Sequence, residues 1–252
     1  MVLLQELVRY SNELLDIQQY RDYCPNGLQV QGKKEVQTII SGVTASQAFL
    51  DAAIEEGADA LLVHHGSFWN GEDPCVVGMK KQRLACLLAS DVSLLAYHLP
   101  LDAHAEYGNN AQLAKLLSFN TKGSFGRSPG DELGLYGSLA PAMSVDVFTQ
   151  HLQDKLGREP LHIPGGASQI RSLAWCTGAA QSYIEQAVSL GVDAFVSGEI
   201  SEQTVHVARE SGIHYFAAGH HATERYGVQA LGHHLSQHFG IQHRFVDIDN
   251  PV

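Results

Sequence analysis

Residues 45–66 and 179–200 align without a gap, and this repetition constrains the chain more than any other feature. Ala45, Gln47, Ala53, Gly57, Asp59 and Ala60 reappear as Ala179, Gln181, Ala187, Gly191, Asp193 and Ala194, all at one separation. Phe49/Tyr183, Leu50/Ile184, Asp51/Glu185 and Ile54/Val188 agree in kind. Any two strand–helix–strand units look somewhat alike, but this many identities in one ungapped window point to an internal duplication. Further on, "LLAYHLPLD" falls beside "FAAGHHATE", so that His98 meets His220 and Asp102 meets Glu224.

Around the repeat, strand-like and helix-like segments alternate. "QTIISGV", "DALLVHH" and "VSLLAYH" read as strands, separated by the helical stretches "ASQAFLDAAIEEG" and "MKKQRLACLLASD". The second half continues the pattern through "RSLAWCT", "VDAFVSG" and "IHYFAAGH", with a long helix over "TERYGVQALGHHLSQHFG". This alternation predicts an α/β fold with mostly parallel sheets. "DYCPNGLQVQG" and "IPGGAS" read as loops. The Gly-, Ser- and Pro-rich stretch 121–133, "TKGSFGRSPGDEL", reads as a boundary, giving domains 1–125 and 126–252.

Composition narrows the function. A formal charge of −11 over 252 residues argues against direct nucleic-acid binding and against anionic membranes. The 4 cysteines are scattered, with no Cys-x-x-Cys pair, as in a reduced cytoplasmic protein. The first residues lack the basic start and small-residue cleavage site of a signal peptide. No apolar run has the length of a membrane span. Histidine is unusual: 14 residues, against 16 for Lys and Arg together.

The positions of those histidines matter more than their number. Ligands of open α/β sheets sit beyond the carboxyl ends of the strands. His64 and His65 end one predicted strand, and His98 ends the next with Asp102 four residues on. His220 follows the equivalent strand, again with an acid, Glu224, four residues on. Such an imidazole and carboxylate set suits zinc, iron or manganese better than calcium or magnesium. Neighbouring residues of a strand point to opposite sides. His64 and His65 therefore suit one ion each of a pair, unless the strand turns at Gly66. The alternative is that they are satisfied polar ends of a strand, a reading the repeated His-x-x-x-acid spacing disfavours.

Other residues leave alternatives open. His220 and His221 compete for one ligand role, and alignment with His98 favours His220. Gly198 and Glu199 occupy the places of His64 and His65 in the repeat. Glu199 reads either as a general base or as a stabilising charge at a helix start. His233, His234 and His238 on the last helix and His243 on the last strand have spacing that could bind metal, but read more simply as a solvated face; Arg225 reads as a phosphate contact or a surface charge. P-loop, nucleophile-elbow and dinucleotide-binding signatures are absent.

The stretches "DYCPNGLQVQG", "GVTAS", "DALLVHHGSFWNG", "YHLPLDAH", "SGE" and "GHHATERYGVQAL" resemble the GTP cyclohydrolase I type 2 homologues, the NGG-interacting-factor-like group. The resemblance spans nearly the whole chain, and "VHHG" with "GHHATE" is its most specific part. It implies two similar α/β domains, interlaced, and a homohexameric ring (a trimer of dimers) with sites facing an inner cavity. It also implies a dinuclear metal site with ligands His64, His65, Asp102, His220 and Glu224, and His98 close by. On this reading the chain is a cytoplasmic metal-dependent hydrolase acting on a small molecule, with GTP ring opening the named candidate. His98 or Glu199 would move protons. The rival reading is a metal-binding scaffold or interaction protein without turnover.

Overall fold

The computed structural model describes residues 1–126 and 132–252. Part of the expected linker, 127–131, lies outside the described residues. The chain opens with β1 (Val2–Leu3), α1 (Leu4–Leu14), β2 (Gly27–Val30), β3 (Glu35–Val36) and β4 (Thr38–Thr44). It continues through α2 (Gln47–Glu55), β5 (Ala60–His65), α3 (Gly78–Ala89), β6 (Ser93–Ala96) and α4 (Leu99–Ala103). Then come α5 (Asn109–Leu117), β7 (Asn120–Phe125), β8 (Gly134–Ser144), α6 (Val145–Leu156), β9 (Leu161–Ile163) and β10 (Gln169–Cys176). The last elements are α7 (Ile184–Ser189), β11 (Ala194–Ser197), α8 (Glu202–Ser211), β12 (His214–Ala217), α9 (His220–Phe239) and β13 (Gln242–Phe245).

Two compact units result: Met1–Gly108 with Gly227–Asp249, and Asn109–Tyr226 with Asn250–Val252. The expected boundary at 125/126 is thereby corrected. Strand pairing is the reason. β13 pairs parallel with β4 and belongs to the first unit, whereas β7 pairs antiparallel with β8 and belongs to the second. The duplicated halves are thus interlaced along the chain, each unit drawing on both.

The first unit's main sheet has the order β13-β4-β5-β6-β2, parallel except for β2. Its central strands are buried on both faces, which explains their continuous apolar sequence. Alternate residues serve opposite layers. Ile39, Leu62 and Leu95 pack with Leu4 and Leu7 of α1 and Leu231 and Leu235 of α9. Ile40, Leu61 and Leu94 pack with Phe49 and Leu50 of α2 and Leu87 of α3.

The second unit's sheet, β7-β8-β10-β11-β12-β9, is parallel through β10-β11-β12 and antiparallel at its edges. Leu173, Trp175 and Val196 face α5 and α6, while Ala174, Phe195 and Tyr215 face α7 and α8. The fold is α/β with mostly parallel sheets, as the sequence pattern predicts.

The duplication is visible in hydrogen bonds. The Asp59 carboxylate accepts from the amides of Gln37 and Thr38 at 2.9 and 3.1 Å. Asp193 does the same for Arg171 and Ser172 at 2.9 and 2.8 Å. One alignment shifts, however. Ser93 of β6 pairs with Ala60, and His214 of β12 pairs with Ala194. That register matches Leu99, not His98, with His220, one residue out of step with the sequence comparison. His98 is the N-cap of α4, whereas His220 is the first residue of α9.

Candidate metal centre

In the first unit, β5, the β6–α4 turn and the loop before β2 deliver one cluster. The coordinating atoms of His64, His65 and His98 lie within 4.8 Å of one another. The ring centroids of His64 and His65 are 4.6 Å apart, so adjacent positions on β5 still reach one place. His64 is fully buried, and its Nδ1 lies 2.9 Å from the Tyr97 carbonyl oxygen. A carbonyl accepts only, so Nδ1 carries the proton and Nε2 keeps its lone pair. That Nε2 lies 3.5 Å from Asp102 Oδ1, and Asp102 is itself buried on α4. His65 Nδ1 is 3.0 Å from the Thr44 hydroxyl.

His98 is held from two sides. Its backbone amide donates to Asn26 Oδ1 at 2.7 Å, and its Nδ1 is 2.9 Å from Asp22 Oδ1. Asp22 also accepts from the Leu99 amide and the Asn26 side chain. Burial opposes the Asp22 charge, but the bonds from His98 and Asn26 win and lower its pKa to about 2. A carboxylate on one imidazole nitrogen fixes which nitrogen is left for a metal. Cys24 shares this loop, with burial, then Asp22, pushing its thiol up to about 12.

In the second unit, His220 lies between two carboxylates. Its Nδ1 is 2.7 Å from Glu199 Oε1 and its Nε2 is 3.0 Å from Glu224 Oε2. The second contact spans one helical turn, which the i,i+4 spacing on α9 provides. Burial disfavours the imidazolium, but Glu224 and then Glu199 outweigh it and raise the His220 pKa to about 9. Glu224 is buried. Gly178, at φ +64°, leaves the room it needs: a Cβ there would fall 2.0 Å from Glu224 Oε1.

Glu199 bonds His220 through Nδ1. His221 differs from His220: its backbone amide donates to the Val252 carbonyl. Arg225 donates to the Leu156 carbonyl at 2.7 Å, at the end of α6. Asp22 and Thr44 escaped sequence reasoning. Their loop and strand-end positions carry no ligand-like spacing, although Asp22 stands inside the "DYCPNG" stretch of the family resemblance.

Each unit is thus an α/β layer with imidazole and carboxylate groups beyond its strand ends, and in the first unit His64, His65 and His98 form a group that could hold a metal ion. Residues 2–251 match the model of the Duf34/NIF3 (NGG1p interacting factor 3) family, and the chain belongs to that family. A Pseudomonas aeruginosa protein named GTP cyclohydrolase 1 type 2 homolog is 58% identical, with 99% of each chain covered. The protein of that name from Escherichia coli K12 is 49% identical over 98% of each. Among solved structures, one titled protein ybgI, unknown function, superposes with a TM-score of 0.96 at 48% identity over 100% of each chain. TTHA1606 from Thermus thermophilus gives 0.91 at 34% identity, also over 100% of each.

Proposed function

We propose that the protein is a hydrolase built on a dinuclear centre of divalent transition-metal ions, zinc, iron or manganese. His64, His65, Asp102, His220 and Glu224 would hold the ions. Such ions supply Lewis acidity and a nucleophile usable near neutral pH. The observation that carries the reading is the pre-orientation of the imidazoles. His64 gives Nδ1 to a carbonyl and His98 gives Nδ1 to a carboxylate, which reserves each Nε2 for the cluster.

The chain's own groups have separate tasks in this scheme. His98 moves protons at Nε2 while Asp22 holds its other nitrogen. Glu199 positions His220 through Nδ1. The names of the relatives favour a nucleotide substrate and a ring-opening hydrolysis such as that of GTP. The proposal also includes a homohexameric ring in the cytoplasm. Among the described residues no helix is long and apolar enough to cross a membrane.

Elemental analysis of protein purified without added metal tests the centre. Two transition-metal ions per chain are expected, with a clear loss in His65→Ala; trace metal only would end the proposal. Turnover of a nucleotide panel by loaded protein, absent in His65→Ala, tests the hydrolase. Full metal content with no turnover on any nucleotide would leave the metal-binding scaffold as the better reading. Light scattering at six times the chain mass checks the ring.

A further inference from the structure

We propose that Tyr23 and Trp69 form an aromatic wall that stacks a planar heteroaromatic ring of a ligand held at the His64–His65–His98 cluster. This rests on the reading of that cluster as the reacting site. Tyr23 lies in the loop between α1 and β2, and Trp69 in the loop after β5. The Trp69 ring meets His98 edge-on at 5.2 Å, and its centroid is 6.0 Å from His65. The Tyr23 ring is 5.1 Å from His98 and 6.3 Å from Trp69, with 28° between the Tyr23 and Trp69 planes.

Two features separate this pair from ordinary core aromatics. Tyr23 is 55% exposed, the most exposed aromatic side chain among the described residues, whereas Tyr97 and Phe49 of the same unit are buried. The loops are also tied together at the wall itself: the Asn70 amide donates to the Tyr23 carbonyl at 2.7 Å. Lys80 braces the second loop, with Nζ 5.3 Å from the Phe68 ring and 3.3 Å from the Asp73 carbonyl oxygen. Large aromatic faces, half open to water and fixed beside a polar reacting cluster, select ligands with a π-face of their own. A purely aliphatic or sugar-phosphate ligand would leave the wall unused.

The chain has 2 tryptophans, and the other, Trp175, is buried with its indole N–H donating to the Asn110 carbonyl. Indole emission that a ligand quenches by stacking therefore reports Trp69. Zinc-loaded full-length protein is titrated with GTP, and separately with inorganic tripolyphosphate as the ring-free probe. Saturable quenching by GTP and none by tripolyphosphate is expected. Tyr23→Leu should weaken GTP binding by roughly tenfold, as for loss of one base–aromatic stack, with zinc content unchanged. Tyr23→Phe should restore it.

Equal quenching by both probes, no quenching by GTP, or wild-type affinity in Tyr23→Leu would overturn the wall. Stacked GTP without turnover would sink the hydrolase reading and keep the wall. Turnover indifferent to Tyr23→Leu would do the reverse.

Discussion

Gly178→Ala separates backbone strain from damage at the candidate centre, because Gly191→Ala is a matched control. Both glycines lie in the left-handed region, at φ +64° and +67°. An L-residue there costs about 1–2 kcal/mol, which in a protein of this size lowers Tm by roughly 2–4 °C per kcal/mol. A Cβ at Gly191 meets nothing within 4 Å, so backbone strain is its whole cost. A Cβ at Gly178 would stand 2.0 Å from Glu224 Oε1, 3.0 Å from its Cδ and 3.2 Å from His220 Nε2. The flexible carboxylate can swing aside at small cost in stability. In doing so it leaves the place where the proposal needs a ligand.

Similar losses of Tm are therefore expected for both variants. Metal affinity should fall at least roughly tenfold in Gly178→Ala alone, the scale of losing an outer partner of a metal ligand. Thermal unfolding of the apoproteins and zinc competition against a chromophoric chelator measure the two quantities. Equal zinc affinity in both variants would refute the reasoning that Glu224 is a ligand.

Three further outcomes follow from the same geometry. Asp22→Ala frees His98 Nδ1 and the Leu99 amide; turnover by the loaded protein should drop by roughly 10–100-fold with metal content unchanged, and undiminished turnover would refute the role. Asp193→Ala leaves the Arg171 and Ser172 amides without their carboxylate; urea unfolding should show a loss of about 2–3 kcal/mol, and an unchanged midpoint would refute that role. His243 bears on acid stability. Burial, then His233, lowers its pKa from 6.5 to about 4. The unfolded chain thus takes up the proton first, so stability is full above 6.5 and declines as pH falls towards 4. Urea midpoints at pH 7 and pH 5 should differ less in His243→Asn than in the parent.

The strands were legible because they are buried on both faces, and "IISGV", "ALLV" and "AFVS" admit little else. The missed strands are edges. β2, β7 and β9 sit in segments rich in Gly, Asn and Pro, and they form because an adjacent strand offers its open side. The unit boundary was illegible for a related reason. β13 joins β4 across most of the chain's length, and no local composition encodes that pairing. His64, His65 and His98 were legible from their strand-end positions. Asp22 was not, since its partnership with His98 depends on a loop folding back from a distant part of the chain.

The two halves share a frame but not a site. In both, an aspartate clamps the preceding strand and the next strand pairs in the same register. Carried on, that register matches Leu99 with His220 and Asp102 with Thr223, so no candidate ligand falls on its own counterpart. The contacts diverge accordingly. Asp102 approaches His64 on a neighbouring strand, whereas Glu224 approaches His220 one turn away on its own helix. His98 caps α4 and turns its Nδ1 to Asp22, and the first half has His65 in the matching place of Glu199. The first strand-end platform thus carries most of the imidazoles and the second a carboxylate-flanked one. The His-x-x-x-acid spacing thus serves different contacts in the two halves. For that reason Asp102→Glu and Glu224→Asp should not behave as equivalent exchanges. Lengthening Asp102 crowds a buried 3.5 Å contact with His64, while shortening Glu224 withdraws a 3.0 Å contact with His220. Zinc affinities that respond identically to the two exchanges would count against separate roles.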